Sequence, residues 1–197
     1  MQTANEVKTI VQGWTEDQLS NLHTALPAKI VSYKPATNRA KVQPVGEFKT
    51  ADERSLPYPE INSVPVIFPC GAGGKSGMTF PIKAGDSGLI IFAENQLTDF
   101  LTGSGDSEDT RRHSLNDAIF LPGLYSNAVP KSVSNPNDVC IFCDFGYFKL
   151  NGSEFSGEVA GTQFSFSGGD LVVNGISLTK HIHGGVIKGG ATTSTPQ

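Results

Sequence analysis

The chain has 197 residues, 38% of them hydrophobic, and a formal net charge of −4 from 15 basic and 19 acidic side chains. That suffices for one ordinary domain plus a smaller one, and neither sign of charge gathers into the run that a nucleic-acid surface needs. No apolar run approaches bilayer-spanning length, and residues 1–6 lack the basic-then-apolar order of a signal peptide. Three cysteines fit a reducing compartment better than a disulfide framework. The expectation is a protein made and folded in a cytoplasm.

Val7, Ile10, Val11 and Trp14 fall at i, i+3, i+4 and i+7, and Leu19 and Leu22 extend a broken version of the stripe. This predicts an amphipathic helix within residues 1–24, interrupted near Gly13, that lies on its own domain or serves assembly. From Ala28 the pattern alternates: residues 28–33 and 40–45 form a hairpin about a turn at 35–38. A Pro-rich connection through Pro57 and Pro59 leads to strands at 64–69 and 78–82 around a glycine cluster. Residues 89–93 are the most continuous apolar strand and are expected to be the most buried. Residues 103–112 read as a loop, and 115–125 bring the chain back. Five or so strands with no long helix between them predict a small barrel of the OB type over residues 25–125.

Residues 126–145, with Pro130 and Pro136, read as a linker or neck. Over 146–180 short strands follow, with alternating pairs Phe148 and Leu150, Phe164 and Phe166, Leu171 and Val173, and Ile176 and Leu178. Turns fall at Asn151-Gly152, Gly168-Gly169 and Asn174-Gly175. Eleven of the 22 glycines lie in the last 52 residues, which leaves little apolar area to offset chain entropy of roughly 1–2 kcal/mol per ordered residue. Three copies wound about a common axis would give each pair an interior to face and would close the open strand edges.

In an extended strand His181 and His183 project on one face. Two imidazoles fill only part of a metal's shell. No third ligand is near, since the last acidic residue is Asp170 and no cysteine follows Cys143. Three chains would bring six imidazole nitrogens together, an octahedral shell that suits iron(II) or nickel(II) better than zinc. With every position filled by protein, the ion would be a rivet and not a catalyst. Gly184, Gly185, Gly189 and Gly190 would let the chain turn tightly at so narrow an apex. Other motifs carry less. Gly74-Lys75-Ser76 ends like a phosphate loop, but Pro69 stands where that loop needs glycine, and no amphipathic helix follows. Cys140 and Cys143 lie three apart in a strand, face opposite sides, and read as buried unpaired thiols. His23 and His113 fall in a helix-to-strand junction and a loop, and no Ser, His and Asp constellation can be assembled.

Residues 23–33, the 64–69 strand with its glycine loop, Thr79-Phe80-Pro81 leading to Gly85-Asp86-Ser87-Gly88-Leu89, and residues 115–119 leading to Pro122-Gly123-Leu124 together resemble the N-terminal OB domain of baseplate central-spike proteins of contractile-tailed phages. His181-x-His183-Gly184-Gly185 resembles the apex of the same spikes, including those of Mu-like phages. The resemblance implies an all-β homotrimer: an N-terminal helix, an OB barrel that docks on the baseplate hub, an intertwined triple-stranded β-helix over 146–180 and a pointed tip over 181–197. It also implies one Fe2+ per trimer, held by His181 and His183 of three chains. The implied function is non-enzymatic: a virion spike at the tail baseplate tip, assembled in the host cytoplasm, that pierces the host outer membrane when the sheath contracts. Two rivals remain. An OB-fold nucleic-acid-binding protein needs exposed aromatics among basic residues, yet Phe80 and Phe92 sit in apolar strands, so no nucleic acid is expected. A His-x-His metalloenzyme needs a carboxylate and an open coordination position, and no Asp or Glu follows His183.

Overall fold

The helical stripe at the N-terminus forms α1 (Ala4–Ser20) in a computed structural model that describes residues 4–20, 22–50, 52–105, 108–128, 137–182, 184–185 and 189–190. The helix runs through Gly13 without the expected interruption. A glycine within a helix costs about 1 kcal/mol against alanine and does not by itself break it. Val7, Ile10, Val11 and Trp14 are 47–68% exposed, so the stripe does not lie buried on its own domain.

Two compact units follow from the chain contacts, residues 1–131 and 132–197. In the first, β1 (Ala25–Lys34) and β2 (Arg39–Pro44) make the expected hairpin. β3 (Glu47–Lys49) and β4 (Ser55–Pro57) form a short ribbon within the stretch read as a Pro-rich connection. β5 (Ile61–Pro65) returns to β2, and β6 (Cys70–Gly71) and β7 (Ser76–Gly77) make a tight hairpin across the glycine cluster. That hairpin, with no helix after Ser76, disposes of the phosphate-loop pattern. Residues 78–82 are not a strand. Met78 N donates to Pro69 O, and Pro81 has no N–H to extend a ladder. β8 (Ser87–Phe92), α2 (Thr98–Thr102) and β9 (Ala118–Pro122) complete the unit.

The main sheet has the order β5-β2-β1-β8-β9, antiparallel throughout. Register shifts between Ile30 and Ser32 in β1, and again where β5 meets β2 near Ser63 (φ 59°), add bulges that bend and twist it. The curl brings the two edges together: Val66 bridges Phe120 in parallel, and Ile67 N donates to Phe120 O at 3.0 Å. Inside lie Ala28, Ile30, Ala40, Val42, Val64, Ile90, Phe92 and Phe120, each under 5% exposed. Even the apolar run of β8 alternates, with Ile90 fully buried and Ile91 40% exposed, because only one face of an antiparallel sheet meets the core. Gly88 makes this packing possible. A Cβ there would lie 2.4 Å from the Phe120 ring.

The second unit is a meander. β10 (Val139–Cys143), β11 (Gly146–Leu150), β12 (Glu154–Val159), β13 (Thr162–Ser167), β14 (Asp170–Val173) and β15 (Ile176–Ser177) each pair with the next in the chain. The register aligns Ile141, Phe148, Gly157, Phe164, Val173 and Ile176 in one row, and Val139, Leu150, Phe155, Phe166 and Leu171 in the next. Residues two apart share a face, so both rows, with Val159, lie on the same side of the sheet. The rings of Phe148, Phe155, Phe164 and Phe166 lie 5.7–6.4 Å apart there. A Cβ on Gly157 would meet the Phe164 ring at 2.8 Å, so glycine gives that ring its seat. The opposite side carries Lys149, Ser156, Glu158, Gln163, Ser165 and Asp170, together with Phe142, Tyr147 and Val172. One face is therefore apolar and the other mixed but mainly polar, and the apolar face is open, with Leu150 at 51%, Phe166 at 48% and Ile176 at 64% exposed. Cys140 and Cys143 do face opposite sides of β10. Neither is buried in the single chain, and both are unbridged, because the surface against which Cys143 would be covered is this same open face.

Candidate metal centre

The metal reading rests on the end of the meander, where β14 and β15 are joined by Asn174 (φ 47°) and Gly175 (φ 81°). Left-handed conformation at both central residues is the hairpin turn that Asn-Gly favours. Asn174 ties it to the neighbouring strand: its N donates to Gln163 O, and its Oδ1 accepts from Gln163 N. Beyond β15 the chain turns at 177–181, and side chains hold the turn. Ser177 Oγ donates to Asp170 Oδ2 at 2.5 Å and accepts from Lys180 N at 2.8 Å. Asp170 Oδ1 accepts from Thr179 N at 3.2 Å. The Ser177 hydroxyl, more than any other group, holds the Asp170 carboxyl below the usual carboxylate range.

His181 follows from this turn. Its N and its Nδ1 both approach Ser177 O, at 3.2 and 2.8 Å, and Nδ1 lies 3.1 Å from Leu178 O. A carbonyl oxygen only accepts, so Nδ1 carries the proton. In a neutral imidazole this leaves the lone pair on Nε2, the tautomer of a ligand whose other nitrogen is tied to a backbone carbonyl. The ring lines a cavity of about 310 Å³ together with Leu171, Val173, Ile176 and Leu178, so it borders the open apolar face. The donor chemistry fits a metal that takes imidazole nitrogen. His183 lies outside the described residues. Among those described, no group of three or more His, Cys, Asp or Glu side chains could hold an ion, so His181 has no ligand set within its own described chain. Of the tip glycines, Gly185 takes a left-handed φ of 76°, and Gly184, Gly189 and Gly190 have open space where a Cβ would stand.

Sequence reasoning passed over Asp170 and Ser177, the residues that build the turn. The signal was there in spacing: a carboxylate and a hydroxyl flank an Asn-Gly hairpin, with the first histidine four residues on.

Among its described residues, the first unit offers no comparable chemistry. His23 packs against Tyr58 and Phe92 with ring centroids 5.9 and 5.5 Å away, and burial lowers its pKa. His23 and His113 both line a cavity of about 590 Å³ with Glu60 and Arg112, and His113 Nδ1 is buried with no hydrogen-bond partner among the described residues. Asp117, 1% exposed, accepts from Leu97 N at 2.7 Å and takes two bonds from the Arg111 guanidinium at 2.7 and 3.0 Å. Arg111 also reaches Thr98 Oγ1 and pairs with Asp109. The cluster pins α2 and the β8-to-β9 connection to the barrel, and its charges are spent on one another. No helix among the described residues is long and apolar enough to cross a membrane.

Residues 26–123 match a family model described as the phage protein Gp138 N-terminal domain, and residues 175–197 match one described as the GpV apex motif. The first match takes in the curled sheet from the second residue of β1, and the second begins at the Asn174-Gly175 turn. No curated protein matches the chain.

Proposed function

For a chain that belongs to the central-spike proteins of phage baseplates, and so is a structural component of the virion, we propose a mechanical and non-enzymatic role. It is a homotrimer that docks on the baseplate hub through its N-terminal barrel and pierces the host outer membrane with its C-terminal tip when the sheath contracts. The observation that carries the reading is the open apolar face of the meander. Nine large apolar side chains at 39–69% exposure offer on the order of 10 kcal/mol per chain when covered, at roughly 1 kcal/mol apiece. That is comparable with the ~4–15 kcal/mol cost of association. The polar reverse face, with Lys149, Glu158 and Gln163, suits the outside of a shaft. Three such faces turned to one axis form a triple-stranded β-structure. A closed five-stranded sheet whose third and fifth strands meet in parallel is the strand order of an OB barrel, which supports the OB reading of the docking domain.

At the tip, His181 and His183 of three chains would hold one iron(II). When bound, the ion supplies a coordination cross-link between three chain ends. The chain's own contribution is to present His181 as the Nε2 ligand beside the apolar face, while Gly184 and Gly185 let the chain pass around the apex. A spike whose strands are joined at the point does not fray under axial load.

Native mass measurement with elemental analysis tests trimer and metal together. The expected result is three chains and one iron per particle, with His181→Ala and His183→Ala each losing the ion. A monomer, or one ion per chain, would refute the reading.

A further inference from the structure

Asp170 lies eleven residues before His181, and Ser177 links the two, with its hydroxyl bonded to the carboxylate and its carbonyl to the imidazole. Asp170 accepts from Ser177 Oγ and Thr179 N, Ser177 Oγ accepts from Lys180 N, and Ser177 O takes the His181 Nδ1 proton. Each link fixes a separate freedom. The carboxylate sets the Ser177 rotamer, the hydroxyl and the Thr179 bond hold the backbone of 177–180 in its turn, and the turn aims the Ser177 carbonyl at the imidazole. Asp170 belongs to β14 and Ser177 to β15, so the turn is anchored to paired strands and not to a loose tail.

We propose that Asp170 and Ser177 are positioning residues for the tip ligand: they set the tautomer and orientation of His181 so that Nε2 is the metal-binding nitrogen. The inference rests on the metal reading given above but concerns this chain's own residues, and it holds in metal-free protein. Outer partners that orient a ligating histidine typically contribute 10–100-fold in metal affinity.

The test uses the full-length protein and four forms: wild type, Asp170→Ala, Ser177→Ala and Ser177→Thr. Side-chain 15N shifts of His181 in metal-free protein read the tautomer directly. Wild type and Ser177→Thr, which keeps the hydroxyl, are expected to hold the proton on Nδ1, whereas the two alanine forms shift towards Nε2–H or a mixture. Anaerobic iron(II) titration against a competing chelator, with native mass confirming three chains, is expected to show a 10–100-fold loss in the alanine forms and wild-type affinity in Ser177→Thr. Alanine forms with unchanged tautomer and unchanged affinity overturn the proposal, as does a Ser177→Thr form that behaves like Ser177→Ala. A wild-type protein that takes up no iron overturns the parent metal reading instead, and the tautomer measurement alone then decides this one.

Discussion

The two units of the chain solve the same problem in opposite ways. The curled sheet of the first buries its apolar residues against one another within a single chain, down to 0% exposure at Val42, Ile90 and Phe120. The meander of the second gathers most of its large apolar residues on one face and then leaves that face uncovered. A sheet that curls until its edges meet makes its own interior, but a sheet of consecutive hairpins has an interior only when something else supplies the other wall. The difference teaches where self-sufficiency ends in this chain: the first unit needs no partner for its core, and the second is half of a core.

The largest effect expected from breaking this contrast is at Phe155, in the middle of the open face and stacked on Phe148 and Phe166. In the proposed trimer, Phe155→Asp would bring a carboxylate from each of three chains to a dry axis, a cost of several kcal/mol per charge. Loss of the trimer is expected by native mass, whereas Ser165→Asp on the polar face leaves it intact. A trimer that survives Phe155→Asp would show that the face is not the interface.

Next in size is Phe120→Ala in the barrel. The ring is fully buried over Gly88, so truncation opens a cavity and costs about 3–5 kcal/mol. Denaturant unfolding should show the loss in the transition of the first unit, with the number of chains per particle unchanged. If the same substitution changed the number of chains per particle, the core of the first unit would bear on assembly.

These two substitutions also mark how far the sequence could be read. Period-two alternation is enough to find β1 and β2, a continuous apolar run marks β8, and β9 lies within the returning stretch 115–125, whereas the strand expected at 64–69 overlaps β5 (Ile61–Pro65) only at its end. The apolar pairs Phe148 and Leu150, Phe164 and Phe166, and Leu171 and Val173 were equally plain, and so were the Asn-Gly turns that set their register. Four things were not legible. The β3–β4 ribbon lies among prolines and charged residues, where pattern is weak and pairing decides. The expected break at Gly13 did not occur, since propensity is a small term in a 17-residue helix. The turn that holds His181 depends on hydrogen bonds between Asp170, Ser177 and Lys180, which leave no periodic trace. The apolar strand around Cys140 and Cys143 predicts buried thiols, but Cys140 is only half-buried and Cys143 is exposed, on the open face.

A smaller effect is expected at the ion pair that ties the β8-to-β9 connection to the barrel. Arg111→Ala leaves Asp117 buried without its main partner. Removing one partner of a buried pair costs about 3–5 kcal/mol, and the one-third exposure of the arginine side chain reduces this to about 2 kcal/mol. The pH dependence has a definite sign. The bond from Arg111, first among the causes, holds the Asp117 pKa below its ordinary value. The pair's contribution is therefore complete above the ordinary carboxylate range, near pH 4, and is lost as pH falls through the depressed folded value. Denaturant midpoints measured between pH 7 and pH 2 should fall at the acid end in wild type. In Arg111→Ala most of that stabilisation is already missing at neutral pH, so the acid-end decline should be shallower. Parallel curves would mean that Asp117 titrates the same with or without its arginine.

The smallest effect concerns α1, which belongs to neither solution. Its stripe of Val7, Ile10, Val11 and Trp14 is exposed, and nothing lies within 4 Å of where a Cβ on Gly13 would stand. Gly13→Ala should therefore stabilise the helix by its propensity alone, at most about 1 kcal/mol. Because the stripe is not buried against the barrel, the gain should appear as higher helical circular dichroism at low temperature, with no change in the barrel's unfolding midpoint. A midpoint that rises with helicity would mean that helix and barrel unfold as one cooperative unit, and the contrast between a self-contained first unit and an open second one would then have to include the helix on the closed side.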